Sequence, residues 1–166
     1  MQYTAHYESP LGGLLLAADD VGLTGLWFDG EKYYALHLAR EHEMRQTAVH
    51  EQTAAWLDVY FSGREPDFMP PLHLIGTPFQ QEVWALLRQI PYGKTTTYGA
   101  LAKTLAAQRG LERMSAQAVG GAVGHNEISI LVPCHRVVGT GGSLTGYAGG
   151  VDKKKALLEL EGESME

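Results

Sequence analysis

With 166 residues, 45% of them hydrophobic and 19% charged, the chain can form one ordinary domain or two small ones and bury a core. That excludes a disordered or fibrous protein, and no apolar run approaches the roughly 18 residues of a membrane span. A single cysteine, Cys134, excludes an internal disulfide framework and any multi-cysteine zinc site. The opening MQYTAHYESPLGG lacks the basic and apolar regions of a secretory signal, so a cytoplasmic protein is expected. The net charge of −6 is unevenly spread: residues 1–76 carry four Lys/Arg against eleven Asp/Glu, and residues 77–166 carry nine against eight. The acidity therefore belongs to the first half, which leaves nucleic acid open as a partner of the second.

The first stretch predicts strands. Tyr3, Ala5 and Tyr7 alternate with polar neighbours, Ser9-Pro10-Leu11-Gly12-Gly13 supplies a turn, and the apolar runs Leu14–Leu16 and Leu23–Phe28 complete an antiparallel meander of three strands. From Thr47 the period changes. Val49, Thr53, Trp56, Leu57, Tyr60 and Phe61 share a helical face that Gly63 ends. Pro66, Pro70 and Pro71 then mark residues 64–76 as a linker. The expected class is α+β, with an N-terminal domain at 1–76 and a mainly helical domain at 77–166.

The second half opens on a capping box, with Thr77 as N-cap, Pro78 at the first helical position and Gln80 at the third. Phe79, Val83, Trp84, Leu87 and Ile90 form an apolar stripe, and Pro91-Tyr92-Gly93 ends the helix. A second helix starts near Thr97, with Tyr98, Leu101, Ala102 and Leu105 facing inward. Ser115 caps a third helix, Ala116 to Val123, so that the pair reads as a helix-turn-helix with a long loop at about 107–114. A β-branched run, Ile128 to Val132, leads into Pro133-Cys134-His135-Arg136. A glycine-rich loop from Gly139 to Gly150 and a closing helix from Asp152 to Leu160 follow.

Cys134 is the first candidate for chemistry. A lone cysteine is usually a small buried hydrophobe, but His135 and Arg136 place two potential cations beside the sulfur and favour its thiolate. Along a strand neighbouring side chains point apart, so His135 would act as a base on Cys134 through a bridging water, with Glu161 orienting the imidazole as third member. The glycine-rich loop reads either as a surface connection or as backbone closing over a flat ligand, with Tyr147 as a wall. Gly93-Lys94-Thr95 is not the end of a phosphate-binding loop, because that motif needs glycine where Arg88 stands. The loop at 139–150 lacks the G-x-G-x-x-G spacing, and no H-E-x-x-H pattern occurs, so neither a nucleotide cofactor nor a metal is expected. Asn126, the only asparagine, reads alone as a turn residue, and Tyr98 as a core aromatic.

Together these features resemble a known family. Val132-Pro133-Cys134-His135-Arg136-Val137-Val138 is similar to the acceptor-cysteine motif of the O6-alkylguanine-DNA alkyltransferases. The resemblance spans the second half: Thr77-Pro78-Phe79-Gln80 to Trp84, Ile90-Pro91-Tyr92-Gly93, Thr97-Tyr98-Gly99, Ala118-Val119-Gly120, Gly146-Tyr147-Ala148-Gly149-Gly150, and Leu157-Leu158 to Glu161-Gly162. The first half is similar only in Ser9-Pro10-Leu11-Gly12 and Tyr60-Phe61-Ser62-Gly63. The resemblance implies a ribonuclease-H-like N-terminal half, a helix-turn-helix C-terminal half, and direct reversal of DNA alkylation by a protein that works as a monomer without a cofactor. The alkyl group of O6-alkylguanine in duplex DNA, with O4-alkylthymine as a second substrate, would pass irreversibly to Cys134 after base flipping.

By the same resemblance His135 is the water-mediated base, Glu161 holds it, Asn126 braces the turn, and Tyr98 donates to the purine. Val137, Tyr147, Ala148 and Gly149 line the pocket. Ser115, Ala116, Gln117, Ala118, Gly120, Gly121 and Arg136 meet the DNA, and a slim helix suits a minor groove only about 6 Å wide. One departure stands out. The family's recognition helix usually carries arginine where this chain has Gln117, and the preceding loop is longer and bears Arg109 and Arg113. Either flipping is weaker, or another side chain substitutes. Three other classes remain: a lesion binder without chemistry, a helix-turn-helix regulator, and a cysteine hydrolase. The presence of Cys134 argues against the first. The second leaves Cys134, His135 and Glu161 unexplained, and the third would turn over.

Overall fold

The computed structural model describes residues 1–30, 38, 42–144 and 146–162; Thr145 of the glycine-rich loop and residues 163–166 of the second half lie outside them. The chain divides into two compact units, Met1–Ile75 with Glu127–Ser129, and Gly76–Asn126 with Ile130–Glu166. Among the described residues no helix is long and apolar enough to cross a membrane.

The first unit is a four-stranded sheet in the order β3-β2-β1-β4, formed by β1 (Gln2–Ser9), β2 (Gly12–Ala18), β3 (Leu23–Phe28) and β4 (His42–Met44). β1, β2 and β3 form the expected antiparallel meander. β4 was not expected, and it pairs parallel to β1 with Gln2 opposite His42. Its three residues are all exposed, so no alternation betrays it. Helix α1 (Ala48–Phe61) buries Thr53, Trp56, Leu57 and Tyr60, as the periodicity indicated, together with His50. The His50 ring is fixed at both nitrogens: Nδ1 accepts from the Thr47 amide at 2.9 Å, and Nε2 donates to the Tyr3 carbonyl at 3.1 Å. Residues 127–129 close on β3. The Leu26 amide donates to the Glu127 carbonyl at 2.8 Å, and the Trp27 indole donates to the Glu127 carboxylate at 2.7 Å.

The second unit holds α2 (Pro78–Leu87), α3 (Tyr98–Gln108), α4 (Ala116–Gly124) and α5 (Val151–Leu160), with a two-stranded parallel ladder of β5 (Thr96–Thr97) and β6 (Val137–Val138). The capping box forms as read: the Gln80 amide donates to Thr77 Oγ1 at 3.1 Å, and the Thr77 amide to Gln80 Oε1 at 3.0 Å. Thr97 and Ser115 cap α3 and α4 in the same way, accepting from the amides of Ala100 and Ala118. α4 has few large side chains of its own, and its inner face is held from α2, where the buried Trp84 indole donates to the Ala122 carbonyl at 2.9 Å.

In the run Ile128 to Val132 only Ile128 pairs, as an isolated bridge to Leu26, and Ile130 turns the chain at φ 72°. One reading is corrected here. Cys134–Arg136 then form one turn of 3₁₀ helix instead of extended chain, so successive side chains are about 120° apart and not on opposite faces.

Candidate active site

The acceptor turn is built by local constraints. A β-branched residue at positive φ is strained, by about 1–3 kcal/mol, and persists only where its surroundings over-determine it. Ile130 is held by burial of its side chain, and Asn126 ties the turn together by donating from Nδ2 to the Val132 carbonyl at 2.9 Å. Pro133 then starts the 3₁₀ turn, in which the Arg136 amide donates to the Pro133 carbonyl at 3.0 Å. Removing the Asn126 amide takes one of two donors from the buried Val132 carbonyl, which otherwise accepts only from the Cys134 amide at 2.8 Å, and unties the turn. Asn126→Ala should therefore lower unfolding free energy by about 1–3 kcal/mol, read as a shifted urea midpoint at constant slope.

The turn aims the side chains of His135 and Arg136 at one buried carboxylate. His135 Nε2 lies 2.6 Å from Glu161 Oε2, with both side chains fully buried. Arg136 donates through Nε to Glu161 Oε1 at 2.8 Å, and through Nη2 to Oε2 at 3.2 Å. Its Nη1 reaches the Ile90 carbonyl at 2.7 Å, and its guanidinium lies 5.7 Å from the centre of the Tyr92 ring. The Gly93 amide completes the shell at 3.3 Å from Glu161 Oε1. Gly93 sits at φ +78°, and a Cβ there would approach the Glu161 carbonyl to 3.1 Å. The Ile90-Pro91-Tyr92-Gly93 segment is thus the cradle of the Arg136–Glu161 pair.

Charge follows from these contacts. Burial alone would raise the Glu161 carboxyl, but the hydrogen bonds and charges of His135 and Arg136 outweigh it and hold the group at about 2. Burial is the main cause that lowers His135, with Arg136 and Lys154 adding to it and Glu161 opposing. The ring is neutral. A carboxylate only accepts, so the His135 proton sits on Nε2, and Nδ1 carries a lone pair that meets no hydrogen-bond partner among the described residues. Cys134 is 8% exposed.

The β5–β6 ladder sets the opposite wall. Thr96 pairs with Val137 and Thr97 with Val138, which places Tyr98, the first residue of α3, across from the turn. Burial first, and the Cys134 sulfur second, raise the Tyr98 hydroxyl above its ordinary range, so it stays a protonated donor. Gly120 of α4 lies beside the same ring, where an added Cβ would sit 3.8 Å from it. Sequence reasoning missed Lys154. It is fully buried, its ammonium lies 5.9 Å from the centre of the Tyr98 ring, and burial lowers it to about 8 against the favourable charge of Cys134. The signal was present: Lys154, Leu157, Leu158 and Glu161 follow an i, i+3, i+4, i+7 pattern, which puts a lysine in an apolar stripe of α5.

The remaining candidates fall into two groups. Val137 and Tyr147 are buried, while Ala148 and Gly149 are half-buried in the turn that feeds α5. On α4, Ala116, Gln117, Ala118 and Gly121 are exposed and Gly120 is half-buried; Ser115 is exposed as the N-cap. Arg136 does not join them. Its guanidinium is held inward, with Nε and Nη2 on Glu161 and Nη1 on Ile90.

A cysteine beside an imidazole–carboxylate pair, in a unit that also presents a capped, small-faced helix, defines a protein that couples a thiol nucleophile to helix-turn-helix docking. The comparisons agree. Residues 78–163 match the 6-O-methylguanine DNA methyltransferase DNA-binding domain, and residues 2–74 match the ribonuclease-like domain of the same proteins. The methylated-DNA–protein-cysteine methyltransferase of Mycobacterium tuberculosis is 43% identical, over 94% of this chain and 92% of its own. That of Methanosarcina acetivorans is 41% identical, over 96% and 98%. A crystal structure of Mycobacterium tuberculosis OGT in complex with DNA superposes with a TM-score of 0.82 at 42% identity, covering 96% of this chain and 92% of the other. The chain belongs to the 6-O-methylguanine DNA methyltransferase family.

Proposed function

We propose that this chain reverses DNA alkylation by taking the alkyl group of O6-alkylguanine in duplex DNA onto Cys134. The observation that carries the reading is the buried Cys134–His135–Glu161 arrangement with Tyr98 opposite, which supplies a nucleophile, a neutral base, its anchor and a donor. Chemistry on a stacked base requires extrusion, at a few kcal/mol, and the lesion's poor pairing eases it. The thiol proton passes through one water to His135 Nδ1, and Glu161 stabilises the imidazolium that forms. The thiolate attacks the alkyl carbon, an S–C bond forms, and the C–O bond breaks with its electron pair moving onto the purine. Tyr98 donates a hydrogen bond as that charge develops. The imidazolium then returns its proton through water to the guanine anion, so the sulfur has lost one proton, the guanine has gained one, and His135 is neutral again. Lys154, while charged, favours the thiolate.

The product thioether is stable to water under mild conditions, and no second cysteine can take the group onward, so each molecule acts once. Val137, Tyr147, Ala148 and Gly149 line the base pocket, and the exposed face of α4 from Ser115 to Gly121 enters the minor groove. Residues 77–166 carry binding and transfer, and residues 1–76 form the ribonuclease-like partner domain. One helix docks on one lesion, so a monomer suffices, and the cytoplasm is the expected setting. O4-alkylthymine, with its similar alkyl–oxygen bond, is the second substrate.

The test is to incubate the protein with a duplex oligonucleotide bearing O6-methylguanine and weigh the intact protein. One methyl group on the peptide containing Cys134 is expected, with none on a Cys134→Ala variant that still binds DNA. Demethylation by Cys134→Ala would refute the mechanism, and turnover beyond one equivalent would favour a hydrolase.

A further inference from the structure

Extruding a base leaves a gap in the stack and an unpaired opposite base, and proteins that hold DNA in such a state place a side chain there. If α4 is the docking helix, as the proposed function has it, that side chain must be exposed, long and close to the helix's N-terminal half. On α4 itself only Gln117 qualifies; Ala116, Ala118 and Gly121 have no reach, and the helix carries no charge. The loop before α4 offers two arginines, and the structure separates them. Arg109 is engaged elsewhere: its Nε donates to Glu82 Oε2 at 3.0 Å, its Nη2 bonds the same oxygen, and its guanidinium lies 5.1 Å from the centre of the Phe79 ring. Arg113 is exposed and makes no ion pair or hydrogen bond among the described residues.

The loop that carries Arg113 is anchored at both ends. The Leu111 amide donates to the Ala106 carbonyl at 2.8 Å, after Gly110 at φ +67°, which closes the C-terminus of α3. Ser115 begins α4 as its cap. Arg113 lies two positions before that cap, a span of at most ~7 Å, so its side chain is tethered to the first turn of α4 that also carries Gln117. A planar guanidinium both stacks on bases and donates to their edges, which an ammonium does not. Between Arg113 and Ser115 the Met114 side chain is half-buried, which fixes the loop's approach to the helix.

We infer that Arg113, and neither Arg109 nor Gln117 alone, occupies the place the extruded base leaves. Single-turnover transfer should be measured on duplex DNA bearing O6-methylguanine and on free O6-methylguanine, for wild type, Arg113→Ala, Arg113→Lys, Arg109→Ala and the double variant Arg113→Ala/Gln117→Arg. Arg113→Ala is expected to slow the duplex reaction about tenfold or more, about 1.4 kcal/mol per decade, and to leave the free-base rate unchanged. Arg113→Lys should remain slow, Arg109→Ala should leave the duplex rate within about twofold, and the double variant should recover most of the loss. Wild-type speed for Arg113→Ala on duplex, equal losses on both substrates, or full activity of Arg113→Lys, which would mean a phosphate contact only, would each overturn the inference. Failure of the proposed function itself looks different: wild type would then alkylate Cys134 from neither substrate.

Discussion

Glu161→Gln is expected to cost the chain about 3–5 kcal/mol of stability and to slow transfer on the order of a hundredfold. The first figure is that of breaking a buried ion pair by removing one member, here leaving the Arg136 guanidinium without its counter-charge. The amide cannot accept from His135, Arg136 and Gly93 together while presenting its own NH₂ to the same cluster. The second figure reflects general-base catalysis by an imidazole no longer oriented or stabilised as it charges. The acid side gives an independent signature. Between the ordinary 4.5 of a glutamate and about 2 in the folded chain, the unfolded state binds a proton that the folded state does not. Stability therefore rises with pH across that window and is lost as pH falls through it, by about 3 kcal/mol at about 1.4 kcal/mol per unit. Chemical denaturation between pH 2 and pH 5 should show this slope for wild type and not for Glu161→Gln. A folded variant with unchanged rate and pH profile would remove Glu161 from the mechanism.

Lys154→Met should do the opposite to stability. Burial holds the ammonium at about 8 against the usual 10.5, so below pH 8 the folded chain keeps a charge in a place that disfavours it. Between about 8 and 10.5 the unfolded state binds the extra proton, and wild-type stability should rise with pH. Methionine fills much of the same length without the charge. The variant is expected to gain about 1–4 kcal/mol at neutral pH, as buried charges replaced by apolar groups often do, and to lose that alkaline slope. Transfer should fall about tenfold or more, since about 1.4 kcal/mol of lost thiolate stabilisation is one decade. Thermal melts and single-turnover rates on the same preparations check both halves. A variant that is neither more stable nor slower would mean that Lys154 is ordinary packing.

The sequence disclosed elements whose cause is local and hid those whose cause is tertiary. Thr77, Pro78 and Gln80 announce the start of α2 because a capping box satisfies amides within one turn, and Ser115 announces α4 for the same reason. The meander of β1 to β3 was legible from its turn residues and apolar runs. β4 was not, because its exposed His42, Glu43 and Met44 owe their strand geometry to β1 alone. The β5–β6 ladder is two residues long on each side, too short for any period to register. At the site, Cys134, His135 and Glu161 could be singled out by residue type and spacing. The 3₁₀ geometry that separates Cys134 from His135 and the left-handed Ile130 could not, because neither carries a periodic pattern, and the inward turn of Arg136 could not, because it is imposed by Glu161 and Ile90, far along the chain. Lys154 lay in plain view in an apolar stripe, but a lysine there is ordinarily assumed to reach solvent.

The depth of Cys134 bears on how long an unused molecule stays fit for service. In a protein that reacts once, any adventitious oxidation or alkylation of the sulfur removes a whole molecule from the pool. Thiols are attacked by reagents in solution as thiolates and in proportion to their accessibility. At 8% exposure, walled by the turn that bears it, the sulfur is shielded from collision with dissolved oxidants and small alkylating agents. A group carried into the pocket on a flipped base, by the route proposed above, is the one brought to the sulfur. The same burial that makes the substrate leave its helix thus protects a reagent that cannot be regenerated.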